Sequence, residues 1–591
     1  AIDLHLTGDL ANSGTVAGRR VVALTAQTIA NLGVIAGRDL VVQAADDLTV
    51  RGGTLAAERT LLATAGRDLT VESTTQGQTG ANGQRTALDR LAGLYVSGDR
   101  DTGQGGVLTA TAGRDLTLLA AALVNTAPPG AGRTAGDLGA TRLAAGGDLT
   151  LGTVATGESE SIGGGKHARQ DARTTEIGTV LQTTGDLTLA AGGDLAARAA
   201  ALTSTAGDLT LTAGGDLALT AGQARLSVAE QHRYRAKSLL SGTKTTTRDT
   251  LETTTALATT VSGDRVTLTA GQDLTVLGSA VVSDHGTTLV AQNTLEIAAA
   301  THTVVESHFR DTKKSGIFSG GGIGVTLGTQ QQRTDQKSLT ETAAASMVGS
   351  TQGAVTLLAG KNYVQTGSDV LAVQGDVTIG AQTVAIREAR ETRRDRIESK
   401  FKQSGLTVAI TSPVISAIQT AQQMVQSAKS TGDPRMKALA LASTGLAANN
   451  AVKAVQAGQG STVKLNDGTV KDGQIVTAVD DKGVPTASRD ANAADKAGGI
   501  NLSISIGGSK SESKTVQTRE SARGSTVAAG NHLHITASGA GPDSDITVQG
   551  STLQAGNRVA LDAQDAIRLL AAGNTSEQHS TNSASSGSIG I

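Results

Sequence analysis

The sequence predicts an all-β protein, a right-handed parallel β-helix with protruding β-hairpin excursions and one helical hairpin insertion. A fixed internal period, an almost aromatic-free composition and strand-like alternation after each repeated turn carry that reading. In "GDLTLAAGGDLAARAAALTSTAGDLTLTAGGDL", Gly185–Leu217, the marks Asp186 and Asp194 recur at Asp208 and Asp216, each 22 residues later. A period carried by two marks is a structural unit that stacks on copies of itself. The 591 residues include three Phe, three Tyr and no Trp, against 74 Gly and six Pro. Small apolar residues with many Thr and Ser suit thin stacked strands better than thick cores.

Composition also excludes functions. There is no cysteine, so disulfides, thiolate metal sites and a cysteine nucleophile are unavailable. With 51 basic and 53 acidic residues there is no broad electrostatic case for nucleic acid, and no nucleic-acid partner is expected. The chain begins with Ala and stops in a strand-like "SSGSIGI", so it is expected to be a piece of a longer protein.

Residues 1–220 read as β-helix rod repeats. Ala-Gly-x-Asp-Leu recurs at Asp39, Asp68, Asp115, Asp148, Asp194, Asp216 and Asp273. Glycine supplies the tight corner, aspartate bonds neighbouring amides, and Leu-Thr-Leu alternates as a strand requires. Leu209 and Leu211 are expected inward and Thr210 outward. Stacking of about 20 coils at roughly 4.8 Å would give a rod of ~100 Å. Residues 221–411 read as repeats of longer period, because Gly278-Ser279 returns at Gly367-Ser368. Polar excursions at 226–260, 303–348, 387–408 and 500–523 are expected to be hairpins. Residues 412–456 read as the helical hairpin, from Val414, Ile418, Ala421 and Val425 at helical spacing and the break Gly432-Asp433-Pro434. Residues 457–499 read as a small hairpin turning at Asn466-Asp467-Gly468 plus a linker, and residues 500–591 as a further, truncated repeat.

No catalytic, cofactor-binding or metal site is expected. The aspartates fall 8 and 14 apart, not at the nonapeptide spacing of a calcium roll, and read as corner caps. His532 and His534 share a strand face but lack a third ligand. No Gly-x-Ser-x-Gly occurs, and the glycine strings Gly163–Gly165 and Gly320–Gly322 read as hairpin tips rather than phosphate loops. The run Arg387–Lys402 mixes signs and reads as locally paired. The three phenylalanines, Phe309, Phe318 and Phe401, all fall in excursions and are the candidate partner contacts, since binding energy concentrates on aromatic anchors.

On these residues the chain resembles the exoproteins of bacterial two-partner secretion, the filamentous haemagglutinin family that includes contact-dependent growth inhibition effectors. The Ala-Gly-x-Asp-Leu coils resemble its rod repeats. The phrase "KKSGIFSGGGIGVTLGTQQQRTDQKSLTETAAASMVGSTQGAVTLLAGKNYVQTGSDV" resembles its haemagglutinin repeats. The resemblance implies passage through a dedicated outer-membrane transporter and a secreted or cell-surface location. It implies a β-helical stalk and adhesin for other cells, meeting a target-cell receptor or outer membrane. The alternative it allows is an outer-membrane-associating delivery region of a growth-inhibition toxin. The sequence departs from the pattern in having no Arg-Gly-Asp and no Val-Glu-Asn-Asn, the nearest string being Ala447–Val452.

Overall fold

The computed structural model describes residues 1–128, 135–239, 241–319, 325–411, 463–465, 468–471, 474–479, 485–490 and 501–587. Two sheets of parallel strands, one of 23 and one of 14 strands, run the length of these residues. One coil shows the plan: Ala201–Ser204 and Leu209–Ala213 join the larger sheet, and Leu217–Thr220 joins the smaller. Each strand then pairs in register with its counterpart one coil on. Leu195, Leu217, Leu274 and Leu295 thus lie in one column, and Leu187, Leu209 and Val266 in another. The expected orientation holds, since Leu209 and Leu211 are fully buried while Thr210 is half-buried. Each buried leucine is worth roughly 2 kcal/mol of hydrophobic free energy, and the core is the sum of such columns. Tyr363 enters the leucine column at Leu295; its buried hydroxyl donates to Gln365 Oε1 at 2.9 Å.

The repeated turns are explained by ladders at the corners. Backbone N–H groups of Asp148, Asp194, Asp216 and Asp273 donate to the carboxylates of Asp115, Asp148, Asp194 and Asp216 in the coil before, at 2.8–3.0 Å. Asp208 N–H does the same to Asp186 Oδ1 at a second corner, 2.9 Å. The short and long gaps between marks are therefore the two corners of one coil. Asp39 differs: it lies inside the strand Val34–Ala44 of the larger sheet, and Asp47 takes the ladder place, clamped by Arg67.

A third corner carries the Gly-Ser phrase. Gly52, Gly278, Gly367 and Gly550 there have φ of 57°, 56°, 53° and 55°, the left-handed region natural to glycine. Ala120 and Ala199 occupy the same corner at φ 45° and 48°. Behind it a buried hydroxyl ladder runs from coil to coil. Ser279 N–H donates to Ser346 Oγ, Ser346 N–H to Ser368 Oγ, Ser368 N–H to Ser525 Oγ and Ser525 N–H to Ser551 Oγ, at 3.1–3.3 Å.

The excursions also leave at this third corner, and they do so on alternate coils. Hairpins follow Leu69–Glu72, Leu149–Gly152, Leu217–Thr220, Thr294–Ala298 and Thr383–Arg387, whereas Leu116–Leu119, Leu195–Arg198, Leu274–Leu277 and Asn362–Thr366 turn straight into the next coil. Two coils advance the rod by ~9.6 Å, which is also the width of two paired strands. The hairpins therefore fill the available spacing and join into one antiparallel side sheet of 11 strands.

Several expectations need correction. The smaller sheet has 14 strands rather than about 20, because the hairpins consume chain. The segments 387–408 and 500–523 are not separate excursions but the two arms of one hairpin, Ala389–Thr411 against Asn501–Arg523. A shorter hairpin at 74–90 lies where only rod was expected, and the one at 154–177 carries the tip expected at Gly163–Gly165. The expected small hairpin pairs Val463–Leu465 with Gly468–Lys471 and continues into a four-stranded antiparallel sheet. The helical hairpin expected at 412–456 lies outside the described residues. Among those described, the helical pieces are Ala135–Leu138 and the short turn Gly541–Asp543.

Candidate contact surface

Among the described residues, no side chain of the side sheet belongs to the buried apolar core. The sheet is a single layer of Thr, Ser, Gln and charged residues. The run Arg387–Lys402 is paired along its own strand, as expected. Arg393 meets Asp395 at 2.8 Å, Arg396 meets Glu398 at 3.0 Å, and Lys400 meets Glu398 at 2.7 Å. Hydrogen bonds from Lys400 and Arg396 hold the Glu398 carboxyl below its usual range. Lys400 also reaches across to Glu512 at 2.9 Å.

The three phenylalanines are not brought together. Phe309 stands opposite Arg248 and Asp335, half-buried, with guanidinium carbons of Arg248 and Arg333 at 5.5 and 4.9 Å from its ring centre. It is a cation–π site closed by the sheet's own arginines. Phe401 stands opposite Gln332 and Ser511. Counting along the register places it on the other face from Phe309, and Phe318 pairs with Thr326 near the outer end of its hairpin.

An imidazole and phenol cluster was missed by reading for phenylalanine alone. Two hairpins bring His167 Nδ1 within 3.2 Å of His232 Nδ1, and Tyr234, 53% exposed, stacks beside them with ring centres 5.1 and 5.8 Å away. Nothing in the sequence links these residues, since they meet only through the pairing of 167–175 with 224–232. His302 is the contrasting case. Its Nδ1 accepts the Ala256 N–H at 3.1 Å, and burial pushes its pKa down. His532 and His534 lie exposed on the rod, His534 hydrogen-bonding Thr536 at 2.9 Å. Gly163 and Gly165, at φ 85° and 64°, form a hairpin tip as expected. Gly320–Gly322 lie outside the described residues.

The Hemagglutinin repeat family profile matches residues 240–405 and 506–591. These ranges take in alternating coils and the long hairpins between them. The chain carries hemagglutinin repeats of the filamentous haemagglutinin and CdiA family. It is similar to the 16S rRNA endonuclease CdiA of Enterobacter cloacae, 37% identical over 333 residues, which is 56% of this chain and 9% of that protein. It is similar to a tRNA nuclease CdiA of Escherichia coli, 36% identical over 338 residues, 56% of this chain and 9% of that protein. Over 559 residues, 93% of this chain and 15% of that protein, it is 33% identical to the deoxyribonuclease CdiA of Dickeya dadantii. The chain thus spans under a sixth of each of these relatives. No solved structure matches. The gap in the repeat match, 406–505, coincides with the outer part of the longest hairpin and what it carries at its end.

Proposed function

We propose that these hemagglutinin repeats form the stalk of a secreted, cell-surface filamentous exoprotein, a right-handed parallel β-helix whose side sheet meets other cells. The observation that carries this is the match between hairpin width and coil advance, which yields a broad solvent-facing sheet borne on a rod. Relatives named for RNA or for DNA cleavage resemble this segment to a similar degree. That supports reading it as their common carrier rather than as an enzyme. On the same reading the partners are an outer-membrane two-partner secretion transporter during export and a receptor or outer membrane on the target cell. Residues 1–220 serve as rod repeats that bear the two shorter hairpins of the sheet, and 221–411 and 500–591 as the units that present its long strands. Phe309, Phe318 and Phe401 remain candidate contacts, on two faces.

A second reading, an outer-membrane-associating delivery region of a growth-inhibition toxin, draws on one feature. Beyond the polar part of the longest hairpin the sequence alternates Leu406, Val408 and Ile410 opposite Ile506, Ile504 and Leu502, a pattern that suits a strand with one apolar face. Binding of the purified chain to target cells, compared with a chain in which residues 299–345 are replaced by one glycine, tests the contact reading. Binding should fall several-fold, and unchanged binding would refute it. Retention on outer-membrane vesicles that depends on 404–411 and 501–507 would favour delivery.

A further inference from the structure

One cross-strand pair of the side sheet has its ring nitrogens already converged. His167 and His232 stand directly opposite each other where the hairpin 154–177 meets the strand Gly222–Lys237. Directly opposed residues have Cβ atoms about 4.5–5.5 Å apart, and here the two Nδ1 atoms lie 3.2 Å apart. Two nitrogen ligands held at about 2.0–2.1 Å by a tetrahedral ion sit roughly 3.3 Å from each other, so the gap has the size of one coordination edge. The row neighbours leave the pair open. Gly164 pairs with His167 and Thr247 with His232, and no atom lies within 4 Å of where a Cβ on Gly164 would stand. His232 Nε2 faces the Glu230 carboxylate at 3.8 Å, and Glu230 is held in turn by Arg169 at 2.9 Å. A carboxylate on the far nitrogen is how proteins orient a metal-ligating imidazole. The rod histidines differ: His532 and His534 follow one another along a single strand, roughly 7 Å apart at the strand rise, and His534 Nε2 is engaged by Thr536.

We propose that His167 and His232 form a site for one divalent transition-metal ion, bound through both Nδ1 atoms. Among the described residues no third histidine, aspartate or glutamate completes a cluster, so water fills the remaining positions. Imidazole suits zinc, nickel and copper, with affinity highest for Cu2+, whereas calcium and magnesium take oxygen ligands. The place of the pair gives the ion a consequence. It is the outermost pair of the seam between 167–175 and 224–232. Beyond it, among the described residues, the register of Arg233–Lys237 continues only on the other side, with 242–246. An ion there clasps two separate hairpins at the point where their pairing ends. Because it binds the folded seam and not the opened one, it stabilises the seam by mass action. The site goes beyond the stalk and contact reading and does not depend on it.

The test uses the whole chain, stripped of metal with a chelator and titrated with the chlorides of zinc, nickel, copper, magnesium and calcium. The variants are His167→Gln, His232→Gln and, as a control on the rod, His532→Gln with His534→Gln. Calorimetry should find one tight ion per wild-type chain, Cu2+ bound most tightly, and no heat from magnesium or calcium. Loss of either ligand should weaken binding at least about tenfold, since changes in the outer shell alone reach that size, and the rod control should bind as wild type does. The chain has three tyrosines and no tryptophan, so its emission is tyrosine emission. Cu2+ should quench the share of the exposed Tyr234, which stacks beside the pair, and leave the emission of Tyr234→Phe unchanged. In the unsubstituted chain Zn2+ should shield His167 and His232, but not the exposed His308, from diethyl pyrocarbonate, and should slow amide exchange across 167–175 and 224–232. These wild-type measurements decide the matter if a histidine variant melts lower than wild type in chelator. Binding equal in wild type and both side-sheet variants, binding lost only in the rod control, or shielding of all exposed histidines alike would overturn the proposal.

Discussion

Leu209 and Thr210 are neighbours with opposite surroundings, Leu209 fully buried between Leu187 and Val266 and Thr210 on the half-buried outer face. Leu209→Asp should cost several kcal/mol, because it places an unpartnered carboxylate between two coils, whereas Thr210→Asp should stay within about 0.5 kcal/mol. Similar losses of melting temperature at both positions would show that the register is wrong. The third corner offers a sharper case. Ala199 holds φ 48° where four other coils have glycine. A left-handed non-glycine residue costs roughly 1–2 kcal/mol, and glycine gives back about 0.5–1 through unfolded-chain entropy. Ala199→Gly should therefore stabilise by about 0.5–1 kcal/mol. Gly278→Ala should do the opposite, since the added methyl would collide with Ala300 Cβ. Denaturant midpoints of the two variants moving in the same direction would contradict this account of the corner.

A coil without a hairpin passes from Leu277 through Gly278-Ser279 to Ala280, and a coil with one passes from Ala298 through the hairpin to Ser346-Met347. Replacing residues 299–345 by a single glycine therefore recreates a corner the rod already uses. We expect the rod to keep a cooperative melt within a few degrees of wild type, because Ser279 and Ser346 stay in the hydroxyl ladder. The neighbouring side strands Ser241–Leu257 and Ala389–Thr411, each paired to the lost hairpin, should exchange their amide protons faster. Collapse of the rod would show the hairpin to be part of the scaffold. The coils were legible in the sequence because each contributes a local signal, Gly for the bend, Asp for the cap and Leu-Thr-Leu for the strand. The side sheet was not, because its pairings join segments that share no motif. Arg235 and Lys510 join Lys244, Lys313 and Lys402 in one row only through the four strands between them, so a near-zero net charge concealed it. The two arms 389–411 and 501–523 read as separate excursions because a long insertion stands between them. The shortest hairpin, 74–90, read as rod because arms of seven and eight residues carry no period of their own.

At the scale of the molecule, a rod and a fin are built on one hydrogen-bond spacing but on different energetics. Fourteen stacked strands make the rod ~62 Å long, and the side strands lengthen from the seven residues of Thr74–Gly80 to the 23 of Ala389–Thr411, up to ~75 Å at ~3.3 Å per residue. X-ray scattering should give a radius of gyration well above the roughly 25 Å of a compact chain of this length, and a compact particle would refute the stacking. The rod buries its leucine columns, while the fin is one layer in which Ser338 and Gln403 are among the few buried side chains. Its strands are held by the backbone ladder and by anchorage at every second coil, not by a core. Single-layer pairing without apolar burial is marginal in water, so the fin should owe its order to the rod. Hydrogen exchange should then show two tiers. Amides of Leu209–Ala213 and Leu217–Thr220 should approach the global unfolding limit, and those of Ser241–Leu257 should open through smaller fluctuations and exchange faster by orders of magnitude. If the fin proves as protected as the rod in the isolated chain, it must be covered on at least one face, by a second copy or by a part of the protein that packs on it.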